Sequence, residues 1–370
     1  MNVLLRWSGD MVQRFTRTLD LPLLAALLGL MVIGLAVIYS AADGSARMVL
    51  ARGAHYGIGL MAMWAISRLP AYQLRNWTPY LYGVSIVPLL IVLVIGGGKH
   101  GNLWINLGVF YFQPSEVLKL SLPMMVAWYL NRRPLPPSFR VTMVAATIIA
   151  VPTLLILKQP DFGTAMLVAV SGAFVLYLAG LSWWWFVAAG AGVASVAPVA
   201  CVVLLRPYQK DRILTFLDPE SDPLGAGWNI IQSKIAIGAG GLTGKGWMEG
   251  SQSHLNYLPE HTTDFVFAVL SEEFGWLGVV TVIALYLFVI ARCLWIAVEA
   301  RDGYSRMIAG ALGLAFCVYV IVNGGMIAGL LPVVGVPMPL LSYGGTSAVS
   351  LLAGLGVVMA VKAHRPVYGR

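Results

Sequence analysis

Four acids crowd into the stretch LPEHTTDFVFAVLSEEFG at residues 258–275: Glu260, Asp264, Glu272 and Glu273. They surround the start of an apolar helix, in a chain that is 59% hydrophobic and only 11% charged. A carboxylate in such a place can cap a helix, pair with a cation, or accept a proton in catalysis. Helical spacing separates the four. With Thr262 or Thr263 as cap, Asp264 falls in the first turn, where negative charge suits the helix dipole. Glu272 and Glu273 lie roughly 12–14 Å further along, at about 1.5 Å per residue, and Glu273 faces away from Asp264. The spacing therefore predicts packing or pairing for those two, a loop position for Glu260, and a reactive role for Asp264.

Two further segments place charge where a membrane should exclude it. FQPSEVLKL (residues 112–120) begins a helix with Pro114 at its first position, Glu116 in its first turn and Lys119 three residues on, so acid and base share one face. An ionisable pair inside a span is a functional candidate by default, and it also fixes helix register. KQPDFGTAM (residues 158–166) repeats the device, with Asp161 after a second Gln-Pro. Together the two predict a polar pocket opening outward between neighbouring helices.

The elements that must hold these groups are set by hydropathy. A mean hydropathy of +0.80 and repeated apolar runs of about 20 residues predict an all-α polytopic membrane protein. Ten spans are expected, at 20–40, 48–67, 78–96, 113–131, 140–157, 161–180, 183–205, 264–291, 304–330 and 343–362. The whole chain, 1–370, reads as one membrane domain. Basic residues give the orientation. Arg6, Arg14, Arg17, Arg68, Arg75, Arg132 and Arg133 gather on one side with both termini, which are then cytoplasmic. The short outer loops take Arg47, Arg52, Lys99 and Lys158, and most of the acids also lie on that outer side. The net charge of +8 is thus an orientation signal and does not indicate nucleic-acid binding. Cys201, Cys293 and Cys317 are too scattered for a metal or disulfide framework.

One segment differs in composition: residues 206–263, an extracytoplasmic loop between the seventh and eighth spans. It is far longer than a connection requires, and it contains a short amphipathic helix at Asn229–Ile237, expected at the outer interface or packed on the bundle. LLPVVGVPMPLLSYGGTSAV (330–349) is apolar, yet Pro332, Pro337 and Pro339 forbid a regular helix. Irregular backbone at membrane depth survives only where protein covers it or a cavity lies beside it. Ser342, Gly344 and Gly345 in that segment are candidates to offer backbone amides to a phosphate at the last helix start.

QPSEVLKL, QPDFGTAMLV, LDPESDPLGAGWNIIQSKIAIGAGGLTGKGW, LPEHTTDFVFAVLSEEFG and GLLPVVGVPMPLLSYGGTS resemble, in order, the signature blocks of the SEDS family (shape, elongation, division, sporulation), most closely its elongation branch. The resemblance spans nearly all ten helices. It implies a peptidoglycan glycosyltransferase in the bacterial cytoplasmic (inner) membrane, polymerising lipid II on the outer face and releasing undecaprenyl pyrophosphate. It also implies a class B penicillin-binding protein as cross-linking partner. The family's essential aspartate corresponds to Asp264, and its intramembrane acid and lysine to Glu116 and Lys119. Such chemistry needs a base and a cationic or amide-rich cradle. Asp264 is the candidate base, Arg212, Lys234 and Lys245 are candidates for the pyrophosphate, and Asp161 is a further candidate substrate contact. No dense carboxylate cluster argues for a metal site, and a divalent cation such as Mg stays open. A flippase for lipid-linked precursors and a non-enzymatic scaffold remain as other classes. The flippase would share intramembrane charges and broken helices, while the scaffold needs no acid at the loop junction.

Overall fold

The computed structural model describes residues 18–95, 103–106, 111–159, 161–203, 215–216, 227–251 and 262–364. The architecture is helical: α1 (Leu21–Ala41), α2 (Ala46–Ser67), α3 (Ala71–Ile95), α4 (Pro114–Asn131), α5 (Phe139–Lys158), α6 (Phe162–Leu178), α7 (Trp183–Val203), α8 (Trp228–Ala239), α9 (Val266–Glu299), α10 (Gly303–Ile327) and α11 (Gly345–Ala363). Two residue pairs, Ile105–Asn106 (β1) and Tyr111–Phe112 (β2), form a minimal antiparallel bridge before α4. Among the described residues α1, α3, α5, α9, α10 and α11 are long and apolar enough to cross a membrane. α2 and α4 carry internal charge, and α6 has 17 residues.

Helices occupy each of the ten expected positions, with shifted ends. α3 begins at Ala71 because the polar run before Pro79 is helical too. α9 continues to Glu299. Local chemistry starts several of them. Asp20 accepts the Leu23 amide at 2.9 Å, Asp302 accepts that of Ser305 at 2.9 Å, and Pro114 opens α4.

α10 lies at the centre, packed against α4, α6, α9 and α11. α2 lies along α11 so closely that a Cβ at Gly59 would sit 2.4 Å from Leu352, and one at Gly356 would sit 2.7 Å from the Met63 carbonyl. Small residues at helix crossings are how apolar helices gain van der Waals contact without a hydrophobic driving force. Arg52, expected in an outer loop, is inside α2 and buried.

α9 is two helices in one. Gly275 breaks it with φ 60° and ψ −158°, a backbone region open essentially to glycine alone. The segment after α8 fills the break. Lys245 and Gly246 amides cap the Glu272 and Glu273 carbonyls at 3.0 and 3.1 Å, while the Trp276 and Leu277 amides donate to Gly241 and Leu242 at 2.9 and 3.1 Å. The backbone groups freed by the kink are thereby satisfied, as a low-dielectric interior requires. α8 itself spans slightly more than expected. It docks through Ile230, Ala236 and Ser233, whose Oγ donates to the Ile327 carbonyl at 2.9 Å, and leaves Ile235 exposed.

Candidate active site

Three helices converge on one ion pair. Lys119 Nζ lies 2.6 Å from Glu116 Oε1, both side chains nearly buried, and Ser350 of α11 donates to Glu116 Oε2 at 2.7 Å. Tyr319 of α10 presents its ring 5.3 Å from Lys119 Nζ. Beside them opens an otherwise apolar groove, lined by Lys119, Phe316, Tyr319, Ser347, Ser350 and Leu351 among others. Desolvating two charges costs several kcal/mol each, and a close, hydrogen-bonded pair regains that only in good geometry. The pair fixes register between α4 and α11 and leaves a cation at the groove wall.

The two Gln-Pro starts join, as their repetition suggested. Gln113 Nε2 donates to Asp161 Oδ2 at 3.1 Å, and Asp161 Oδ1 caps α6 at the Thr164 amide at 3.0 Å. Gln159 reaches across to the Leu89 carbonyl at 3.1 Å.

Residues 331–344 form an irregular strap over this end of the bundle. Its prolines free backbone groups that side chains then satisfy. Tyr56 donates to the Leu340 carbonyl at 2.5 Å, Tyr286 to that of Pro339 at 2.6 Å, and Asn323 to that of Val336 at 2.6 Å, while buried Ser342 accepts the Met338 amide at 2.8 Å. The strap rests on the start of α6: a Cβ at Gly163 would meet the Val334 carbonyl at 2.5 Å.

Asp264 is held by the same strap. The Tyr343 amide donates to the Thr262 carbonyl at 2.9 Å, and Asn323 Nδ2 donates to the Asp264 carbonyl at 3.0 Å. Gly335, with φ 69°, passes close enough that a Cβ there would lie 3.8 Å from Asp264 Oδ2. This corrects the first-turn expectation. α9 starts at Val266 with Phe265 as its N-cap residue, so Asp264 sits in a half-buried turn ahead of the helix. The turn is held through the Thr262 and Asp264 carbonyls, bonded to the strap and to α10.

The remaining candidates separate. Glu272 is fully buried and binds Lys245 Nζ at 2.6 Å as well as the Ser251 amide and hydroxyl at 3.0 Å; Glu273 accepts a hydrogen bond from Ser40. Lys245 is thus engaged at the α9 break, and the pairing role expected of both glutamates holds. Lys234 is exposed, with Nζ 2.8 Å from the position of a Cβ on Gly329, at the C-terminal end of α10. Gly344 caps α11 by backbone alone, its carbonyl taking Arg52 Nη1 at 2.5 Å, and His55 packs where any side chain at Gly345 would stand. Arg212 and Glu260 lie outside the described residues. Among the described residues no group of three or more His, Cys, Asp or Glu side chains gathers as metal ligands.

Sequence reasoning missed Arg52 and the break at Gly275. Arg52, His55 and Tyr56 recur at i, i+3, i+4 in ARGAHYG, one helical face, which was the available signal. Gly275, two residues after the Glu272–Glu273 pair, was the other.

A helical chain with the Asp264 turn pinned to a broken, proline-rich strap, and with several helices long and apolar enough to cross a membrane, defines an integral membrane protein with a polar site at one end of its bundle. The chain belongs to the FtsW, RodA and SpoVE cell cycle protein family, whose description matches residues 17–366. It is 47% identical over 353 residues, 95% of each chain, to the peptidoglycan glycosyltransferase MrdB of Escherichia coli K12, and 35% identical over 358 residues to stage V sporulation protein E of Bacillus subtilis, covering 93% and 97% of the two chains. The rod shape determining protein RodA of Thermus thermophilus superposes with a TM-score of 0.71 at 28% identity, covering 95% and 98% of the two chains. A chain from a peptidoglycan synthase complex, described for coordination of polymerization and crosslinking, superposes at 0.83 with 31% identity, covering 94% and 99%.

Proposed function

We propose that the protein is a peptidoglycan glycosyltransferase that extends glycan strands from lipid II during cell elongation. The observation that carries the reading is the Asp264 turn, bonded to the strap through Thr262 and Tyr343 and to α10 through Asn323. It sits in a chain 47% identical, over 95% of its length, to a peptidoglycan glycosyltransferase. In this reading the Asp264 carboxylate takes the proton from the 4-hydroxyl of one sugar. That oxygen attacks the anomeric carbon of a second sugar, and the carbon–oxygen bond to the pyrophosphate breaks, its electron pair leaving on the lipid pyrophosphate. Glu116, Lys119 and Asp161 line the approach, and the groove beside Lys119 receives the lipid. Lys234, Arg212 and the amides after Ser342 at Gly344 and Gly345 are cradle candidates. Lys245 is the weakest of them because Glu272 already holds it. A divalent cation such as Mg could share the cradle; the steps above use the chain's own groups.

The topology that fits is ten spans in one membrane domain, both termini cytoplasmic and residues 206–263 outside, in the bacterial inner membrane. The partner that fits is a class B penicillin-binding protein, in keeping with the synthase-complex chain that superposes on this one.

The test is polymerisation of lipid II by the purified protein with its partner in detergent. Asp264→Asn should lower the rate about 10²–10⁴-fold, the usual worth of a general base, while folding and partner binding persist. A normal rate in that variant would sink the mechanism. The break in α9 keeps lipid transport as a second reading, since transporters build their sites on discontinuous helices. Movement of lipid II across liposomes without polymer formation would select it.

A further inference from the structure

Arg52 heads the large side chains that are fully buried, with 1% of its surface exposed. Its Nη1 reaches the Gly344 carbonyl and its guanidinium stacks 4.5 Å over the Tyr56 ring, yet its Nε is buried with no hydrogen-bond partner. Among the described residues it forms no ion pair with a carboxylate. One turn on, His55 presses against Gly345, and its Nδ1 is also buried without a partner. No side chain caps α11, whose first turn begins at Gly345. A small cavity lies between Arg52 and the start of α11, lined by Arg52, Ser342, Gly344 and Ser347 together with apolar strap and helix residues such as Pro337 and Leu351. It has room for about one water-sized group.

A buried guanidinium and the positive end of a helix therefore face one another, with no carboxylate of the described residues paired to the guanidinium. An unpaired charge at such depth costs several kcal/mol, and a helix N-terminus adds to the field instead of answering it. The component that completes this arrangement is an anion small enough at its tip to enter the cavity. A phosphoryl group meets that description: its oxygens take several donors at once, and planar guanidinium matches it.

We propose that Arg52, with the first turn of α11, binds a phosphoryl oxygen of the lipid-linked pyrophosphate. The choice of that lipid rests on the glycosyltransferase reading; the anion site does not. Position supports the assignment. The Tyr343–Thr262 backbone bond sets the Asp264 turn next to the strap residue that precedes Gly344, so base and phosphate site share one support.

The test uses the full-length protein in detergent, with binding of undecaprenyl pyrophosphate, phosphatidylglycerol and inorganic pyrophosphate measured for each variant alongside its melting temperature. Undecaprenyl pyrophosphate should bind most tightly. Arg52→Gln should weaken it about tenfold to a hundredfold, the worth of one to two charge-assisted hydrogen bonds, and Arg52→Lys should lose less. Ser347→Asp keeps the proposal testable if Arg52→Gln does not fold. By supplying the missing charge it should raise the melting temperature and abolish binding. Asp264→Asn should bind as wild type does. Unchanged binding in a folded Arg52→Gln or Ser347→Asp variant overturns the site. Equal affinity for phosphatidylglycerol, or binding of inorganic pyrophosphate alone, overturns the assignment to the lipid-linked pyrophosphate. A fully active Asp264→Asn would refute the base while leaving the anion site, judged by binding, intact.

Discussion

At the scale of single residues, the Glu116–Lys119 pair allows function to be separated from register. Removing only the acid by Glu116→Gln strands a buried ammonium beside Tyr319, and breaking such a pair costs about 3–5 kcal/mol. Replacing both partners, Glu116→Gln with Lys119→Met, removes the uncompensated charge and should recover most of that stability. Thermal unfolding in detergent measures both effects. If the pair contacts substrate, the stable double variant remains inactive in lipid II polymerisation. A double variant that is both stable and fully active would reduce the pair to a register device for α4 and α11.

At the scale of elements, the short helix 266–274 carries the Asp264 turn at one end and the Gly275 break at the other. A Cβ at Gly275 would lie 2.3 Å from the Gly244 amide nitrogen, and its backbone angles are strained for any other residue. Gly275→Ala should therefore cost at least about 2 kcal/mol, seen as a lower melting temperature. Straightening the kink would also pull the Lys245 and Gly246 amides from the Glu272 and Glu273 carbonyls. Lys245→Met tests the same joint by side chain alone: Glu272 keeps the Ser251 bonds but loses the Lys245 ammonium, so destabilisation should again appear. If both variants melt as wild type does, the segment 240–246 is not what holds the break.

Across the whole molecule, Asp20 gathers three helices at the end opposite the strap. It caps α1, takes two nitrogens of Arg292 from α9, with the closest contact at 2.8 Å, and pairs with Lys362 of α11. Burial alone would raise its pKa, but the hydrogen bonds from Arg292, Lys362 and the Leu23 amide prevail and hold it at about 2, below the ordinary value of 3.8. A depressed carboxylate contributes stability that is complete above the unfolded value and is lost as pH falls through the folded one. The protein should lose stability between about pH 4 and pH 2 by this route, and Asp20→Asn should be less stable at neutral pH with a flatter profile over that window. Melting temperatures measured across pH 2–6 decide it, and identical slopes would remove Asp20 from the account.

Hydropathy and helix-stop residues act within a few turns of chain, so the sequence by itself determined where the helices run, that residues 331–344 stay irregular, and that Asp161 begins a helix. It also singled out Asp264 as the acid at the loop junction. What it could not contain was the choice of partner among polar groups, because that choice is made across the bundle. Arg52 meets Gly344 only after α2 has packed on α11, and Asp20 meets Lys362 only after α1 has packed on α9 and α2. Counted by position alone, Arg52 was an outer-loop charge; in the fold it is a buried cation facing a helix N-terminus. Asp264 sits ahead of the helix, in a turn whose carbonyls at Thr262 and Asp264 are bonded by Tyr343 of the strap and Asn323 of α10. Lys245 meets Glu272 because Gly275 opens a gap that the 240–246 segment fills. In a low-dielectric interior every polar group must be answered, and only the tertiary structure decides by which.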